Sequence, residues 1–208
     1  MTEVVSTERD GAEAARAALE RCVADGGVAV FPADGLYGLA CDPLDATAIE
    51  RIHRLKGRDE GKSSAVMYFS PLAMRELVEG LGRRTREAVG ALLPGPLTLV
   101  LTNPERRYPL ACREDPERLG VRLIDGPLAG AMCPIFQTSA NRSGEPASAN
   151  LAGVPSEIVD GVDLAIDDGP LTGQPSTVVD LSRYDEEGEW KIIREGALSA
   201  EDLDRTLT

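Results

Sequence analysis

The second half of the chain carries the strongest constraint on its fold. Five short apolar runs, GVRLI (120–124), PIFQT (134–138), VDLAID (162–167), STVVDLS (176–182) and WKIIRE (190–195), follow one another with little helical pattern between them. Runs this short and this rich in Val and Ile read as strands. Parallel neighbours need a crossover of a dozen or more residues, usually helical, so these strands cannot all be parallel. The first half alternates instead. A helix is expected over 11–24, a strand over 28–31, a helix over 45–56 with Asp45 as N-cap and Gly57 at its end, and a strand over 65–69. Two helices within 71–93, broken near 80–82, precede a strand at 97–102. Residues 103–119 read as an irregular excursion, and Ser199 and Asp202 set up a capping box for a helix ending near 207. The expected fold is α/β in the broad sense (α+β): a mixed, twisted sheet with flanking helices, built as one domain over 1–208.

Composition narrows the function. Of 208 residues 42% are hydrophobic, enough for a core, and no run reaches the 18 apolar residues of a membrane helix. The N-terminus lacks an export signal, so a cytoplasmic protein without membrane contact is expected. Lys and Arg number 22 against 35 Asp and Glu, a net charge of −13. That argues against sequence-independent duplex binding, yet allows a small anion in a local basic pocket. The four cysteines, at 22, 41, 112 and 133, form no C-x-x-C pair, and His53 is the only histidine. No protein-ligated metal site is expected, and Ser-His or Cys-His catalysis has little to work with.

Three segments could carry chemistry. Gly61-Lys62-Ser63 imitates the end of a phosphate-binding P-loop, but Lys56 stands where the first glycine belongs and a helix precedes it where a strand is required. The surrounding stretch 51–62 nonetheless holds five basic residues and two acids. Read as a solvated helix end it signifies little; read with Lys56 and Arg58 flanking Gly57 in an extended segment, it offers two cations to one anion. Thr138–Gly144 (TSANRSG) leaves a strand with hydroxyls, an Asn and a Gly, which suits either an anion cradle or an ordinary turn. Ser176-Thr177 opens a strand with two hydroxyls.

Taken in order, these segments resemble one family. Phe31–Leu39 (FPADGLYGL) is similar to a P-T-[DE]-T-x-Y-G-L motif, Lys56-Gly57-Arg58 to K-x-R, Pro94–Thr98 to P-G-P-x-T, Val121-Arg122 to a V-x-R strand and Ser139–Gly144 to S-A-N-x-S-G. Ser176–Asp180 and Arg194-Glu195-Gly196 complete a resemblance that spans about 12–200. The family is YrdC-like, and its characterised members are threonylcarbamoyl-AMP synthases.

The resemblance implies a twisted sheet with a concave basic cavity, and a reaction joining L-threonine, bicarbonate and ATP into threonylcarbamoyl-adenylate with release of pyrophosphate. ATP would enter with Mg2+, and a downstream transferase would carry the threonylcarbamoyl group to tRNA; direct tRNA binding is compatible but weakly motivated at −13. Carried over by position, Lys56 and Arg58 would be the catalytic, phosphate-facing pair. Arg58, Lys62, Ser139, Asn141 and Arg194 would hold ATP, and Arg122 and Ser176 the amino acid. The two threonines of the opening motif are Ala33 and Gly35 here, and a family histidine aligns with Met67. These departures all fall on the threonine side, where an unpartnered substrate hydroxyl costs about 1–3 kcal/mol. They keep open an alternative, a divergent paralogue that binds nucleotide or RNA with another amino-acid substrate or none.

Overall fold

A computed structural model describes residues 1–57 and 63–207. Its strands are β1 (Glu3–Ser6), β2 (Ala29–Pro32), β3 (Tyr37–Cys41), β4 (Ala65–Tyr68), β5 (Leu97–Thr102), β6 (Arg118–Leu123), β7 (Ile135–Ser139), β8 (Leu164–Asp167), β9 (Thr177–Asp180) and β10 (Lys191–Arg194). The helices are α1 (Thr7–Asp10), α2 (Ala12–Ala24), α3 (Ala46–Lys56), α4 (Pro71–Glu79), α5 (Arg83–Leu92), α6 (Pro109–Cys112), α7 (Ser156–Asp160), α8 (Tyr184–Glu187) and α9 (Ala200–Leu207).

These strands form one mixed sheet in the order β1-β8-β2-β3-β7-β4-β6-β5-β9-β10. β4 runs parallel to β6 and β5 parallel to β9, whereas β3–β7, β4–β7 and β5–β6 are antiparallel. This is the mixed sheet the closely spaced late strands demand. The sequence reading left out β1, β3 and the short helices α1, α6, α7 and α8, none of which is longer than five residues. At one or two turns, helical periodicity has no room to register.

Each face of the sheet carries a buried core. On one, Val30, Leu39, Val66, Leu97, Leu99 and Val121 pack with residues of α3, α4, α5 and α9 into the larger core. On the other, Phe31, Met67, Phe69, Ile135 and Ile166 pack with Ala15 and Leu19 of α2. Adjacent residues such as Val66 and Met67 therefore enter opposite cores, which is why these strands read as unbroken apolar runs. The caps follow the sequence: the Asp45 carboxylate accepts from Thr47 N (2.8 Å) and Ala48 N (3.0 Å), and Gly57 ends α3 in the left-handed region. Ser199 and Asp202 exchange the hydrogen bonds of a capping box. No described helix is long and apolar enough to cross a membrane.

Candidate functional site

The helices leave part of the second face uncovered, and a cavity of about 610 Å³ opens there. Period-two alternation builds its floor. Leu97, Leu99 and Leu101 of β5 enter the larger core, while Thr98 and Val100 face the cavity; Leu119, Val121 and Leu123 of β6 do the same, while Gly120 and Arg122 face out. Ala65 of β4, Gln137 and Ser139 of β7, and Val178 of β9 complete the floor. The small side chains of Ala65 and Gly120 make it concave.

The rim is assembled from distant segments. Lys56, the last residue of α3, is 3% exposed. Its ammonium donates to the carbonyl of Asn141 (2.9 Å) and to that of Ser139, with Asn141 Oδ1 (3.3 Å) and Ser139 Oγ (3.4 Å) beside it. The Ser143 N–H returns a bond to the Lys56 carbonyl (2.8 Å). The Asn141 side-chain amide donates to the carbonyls of Arg142 (2.9 Å) and Glu145 (2.6 Å), so its polar atoms hold the 139–145 loop in shape. Opposite, Arg194 Nη2 donates to the Ser176 carbonyl (2.7 Å) and Oγ (3.1 Å), and that Oγ lies 3.0 Å from Thr98 Oγ1. Gly196 is required just beyond. A Cβ there would stand 2.4 Å from the Pro175 carbonyl oxygen.

Arg122 lies at the base, 5% exposed. Its hydrogen bonds to protein are long, Nε to the Leu97 carbonyl at 3.4 Å and Nη2 to the Ala33 carbonyl at 3.3 Å. Burial drives its pKa down to about 10, with the Asp34 carboxylate opposing the shift and the charge of Arg194 adding to it. Arg194 is also lowered by burial. Two guanidinia, one buried at the base and one exposed at the rim, thus share one cavity.

A strap, residues 168–176, closes one side of the cavity, where Gln174, Pro175 and Ser176 line it. The Tyr37 hydroxyl accepts from Asp168 N and donates to the Gly169 carbonyl, both at 2.9 Å. Leu171 N bonds the Ala149 carbonyl (2.7 Å), and Gly173 N the Gly35 carbonyl (2.9 Å). The strap runs so close to Gly35 that a Cβ there would meet the Gln174 carbonyl oxygen at 1.9 Å. The glycine in place of the motif threonine is therefore matched to this strap. Met67 is likewise filled in: fully buried in the smaller core, it pairs with Arg122 in the β4–β6 register. Tyr68 offers no substitute hydroxyl, since its OH bonds Tyr108 OH (3.1 Å) elsewhere, but Thr138 does line the cavity.

Of the residues singled out from sequence, Lys56, Arg122, Ser139, Asn141, Ser176 and Arg194 all line this one cavity. Arg58 and Lys62 lie outside the described residues. The extended K-x-R geometry needs correction: Lys56 is still helical and Gly57 is left-handed, so the helix end, not an extended segment, aims Lys56. Sequence reasoning missed Arg118 and Asp115 on the rim, the hydroxyl of Thr98 and the Tyr37 latch. Only Thr98 and Tyr37 had a signal, as motif members without a role. His53 packs edge-on to Phe136 (6.1 Å between rings) and its Nε2 meets Arg113 Nη2 at 3.1 Å. Burial raises the thiols of Cys22 to about 12 and Cys133 to about 11, and raises Cys41 and Cys112 as well. Among the described residues no cluster of three His, Cys, Asp or Glu could hold a metal.

Comparison with known proteins agrees with this geometry. The Sua5/YciO/YrdC family model, described as "Telomere recombination", matches residues 21–196. Threonylcarbamoyl-AMP synthase of Chromohalobacter salexigens is 34% identical over 75% of this chain and 86% of its own. The mouse protein of the same name is 34% identical over 93% of this chain and 71% of its own. The crystal structure of P. abyssi Sua5 complexed with L-threonine superposes with a TM-score of 0.85 at 26% identity, covering 99% of this chain; the chain spans 61% of that longer protein. The motifs, their order along the chain and the cavity they enclose therefore have one common explanation: this chain belongs to the Sua5/YciO/YrdC family.

Proposed function

We propose that this protein is a threonylcarbamoyl-AMP synthase, a nucleotidyltransferase that joins L-threonine, bicarbonate and ATP. The observation that carries the reading is the buried guanidinium of Arg122 facing one cavity that also receives the exposed guanidinium of Arg194, Lys56 and the hydroxyls of Thr98, Ser139 and Ser176. A group of anions relieves this concentration of positive charge, and a nucleotide with a carboxylated amino acid supplies them.

The chemistry asks for position and charge cancellation. Threonine's amine takes up CO2 from bicarbonate as a carbamate. A carbamate oxygen attacks the α-phosphorus, the bond to the bridging oxygen breaks, and pyrophosphate leaves with the electron pair. Lys56 and Arg194 stabilise charge on the phosphates, the 139–145 loop orients them, and Arg122 with Ser176 holds the amino-acid carboxylate. Arg58 and Lys62 belong to the same phosphate side by family resemblance. ATP enters as its Mg2+ complex. Among the described residues Asp115 is the carboxylate lining the cavity, and the phosphates would carry the ion. The product passes to a separate tRNA-modifying transferase in the cytoplasm.

Pyrophosphate release tests this. It should require ATP, bicarbonate and Mg2+ together and rise with L-threonine. ATP turnover indifferent to every amino acid would overturn the assignment. Restoration of tRNA modification in a synthase-deficient strain separates it from a binding-only paralogue.

A further inference from the structure

The connection between β2 and β3 holds an unexpected piece of backbone. Asp34 has φ +79°, the left-handed region that an L side chain enters at a cost, while its neighbour Gly35, free to enter it, does not. Ala33 N–H donates to the Leu36 carbonyl (3.0 Å), and the Ala33 carbonyl accepts from Arg122 Nη2. The Asp34 carboxylate stands 3.6 Å from that same Nη2. Two successive residues of one short connection therefore face one guanidinium nitrogen, Ala33 through a long hydrogen bond and Asp34 at ion-pair distance. Arg122 lines the cavity, as do Ala33 and Gly35 on either side of Asp34. The Asp34 side chain keeps 35% of its surface in solvent; partial burial raises its pKa and Arg122 draws it back, so what holds the carboxylate at this place is its backbone conformation and its nearness to Arg122.

We propose that Asp34 is a positioning residue: its left-handed backbone is retained because the carboxylate fixes Arg122 Nη2 and so turns the rest of the guanidinium toward the carboxylate of the amino-acid substrate. This rests on the amino-acid role given to Arg122 above. A carboxylate serving only to neutralise a buried cation would be replaceable at a conformationally easier residue, and its loss would be felt as instability, not as a selective loss of one substrate.

Asp34→Gly removes the carboxylate and the backbone strain together, and Asp34→Asn removes the charge while keeping a side chain that tolerates positive φ. Both should raise KM for L-threonine tenfold or more, leave KM for ATP and kcat within about twofold, and unfold thermally within about 4 °C of the parent, with Asp34→Gly the more stable of the two. The 15N resonance of Arg122 Nε–Hε should shift or broaden in both variants. Unchanged KM for threonine, or a large fall in melting temperature with KM unchanged, overturns the proposal. If the parent protein shows no threonine-dependent pyrophosphate release, the proposed activity fails separately. The Arg122 resonance then decides the Asp34 coupling by itself, and an unperturbed signal in both variants overturns it.

Discussion

The ammonium of Lys56 donates to the main-chain carbonyl of Asn141 at 2.9 Å, tying the end of α3 to the loop that follows β7 across 85 residues of sequence. A cation in a family motif is thus also a structural brace. Lys56→Met should strand buried carbonyls at a cost of about 1–3 kcal/mol. It should also abolish most pyrophosphate release, because the 139–145 loop loses its anchor. Urea denaturation read beside activity checks this; a variant of parental stability would show that the brace is dispensable.

Gly35→Thr reintroduces the residue of the family motif and should nevertheless do harm. Its Cβ would begin 1.9 Å from the Gln174 carbonyl oxygen, so the strap must move. Overpacking of this kind costs about 1–3 kcal/mol. The expected outcome is a lower melting temperature with weaker threonine affinity, measured by thermal unfolding and calorimetry. Gain of affinity would mean that the strap yields cheaply.

Arg122 predicts an alkaline limit for binding. With its pKa lowered to about 10 by burial, the guanidinium is charged at neutral pH and loses its proton as pH rises through that value. Affinity for the amino-acid carboxylate should fall above about pH 10, and Arg122→Lys should weaken it at all pH values by removing the fork. The stability effect has the opposite sign. Between about 10 and the ordinary 12.5, the unfolded chain holds the proton more tightly than the fold, so the burial penalty shrinks as pH rises. Titration of threonine binding between pH 7 and 11 checks the first point.

Asp180 governs the acid side. Burial raises its pKa, but the Ser182 hydroxyl (2.6 Å) and N–H (2.9 Å), with Arg118 and Lys191, outweigh this and hold it below the usual carboxylate range. The stability it contributes is full above the unfolded value near 3.8 and is lost as pH falls through its lower folded value. Asp180→Asn should cost about 1–2 kcal/mol at neutral pH, since Arg118 is partly solvated. It should also flatten the acid limb of the stability curve, as followed by circular dichroism.

The fold was legible wherever length let a pattern repeat. Helices α2 and α3 showed their periodicity, Asp45 and Gly57 marked the ends of α3, and Ser199 and Asp202 marked the start of α9. Strand β3 was hidden because Tyr37–Cys41 is buried on both faces and reads as a motif without alternation. The site was legible as residue types but not as geometry. Nothing local in the sequence says that Lys56 ends a helix aimed at the 139–145 loop, or that Gly35 exists to admit the Gln174 carbonyl. Those facts depend on a strand order that puts β3 beside β7 and β5 beside β9. Asp34 was visible as a motif member, but its partner was not, since that lies 88 residues away on β6.

The sheet order has one further consequence. The cavity floor draws on β4, β5, β6, β7 and β9, with pairings that reach from Tyr37 to Arg194 along the chain. No contiguous fragment contains the site, and a ribosome-bound chain that has not yet emerged to Arg194 lacks one of the guanidinia that line the cavity. Ligand capture therefore requires closure of the whole sheet, and nucleotide should protect amides of the central strands from hydrogen exchange as one cooperative unit.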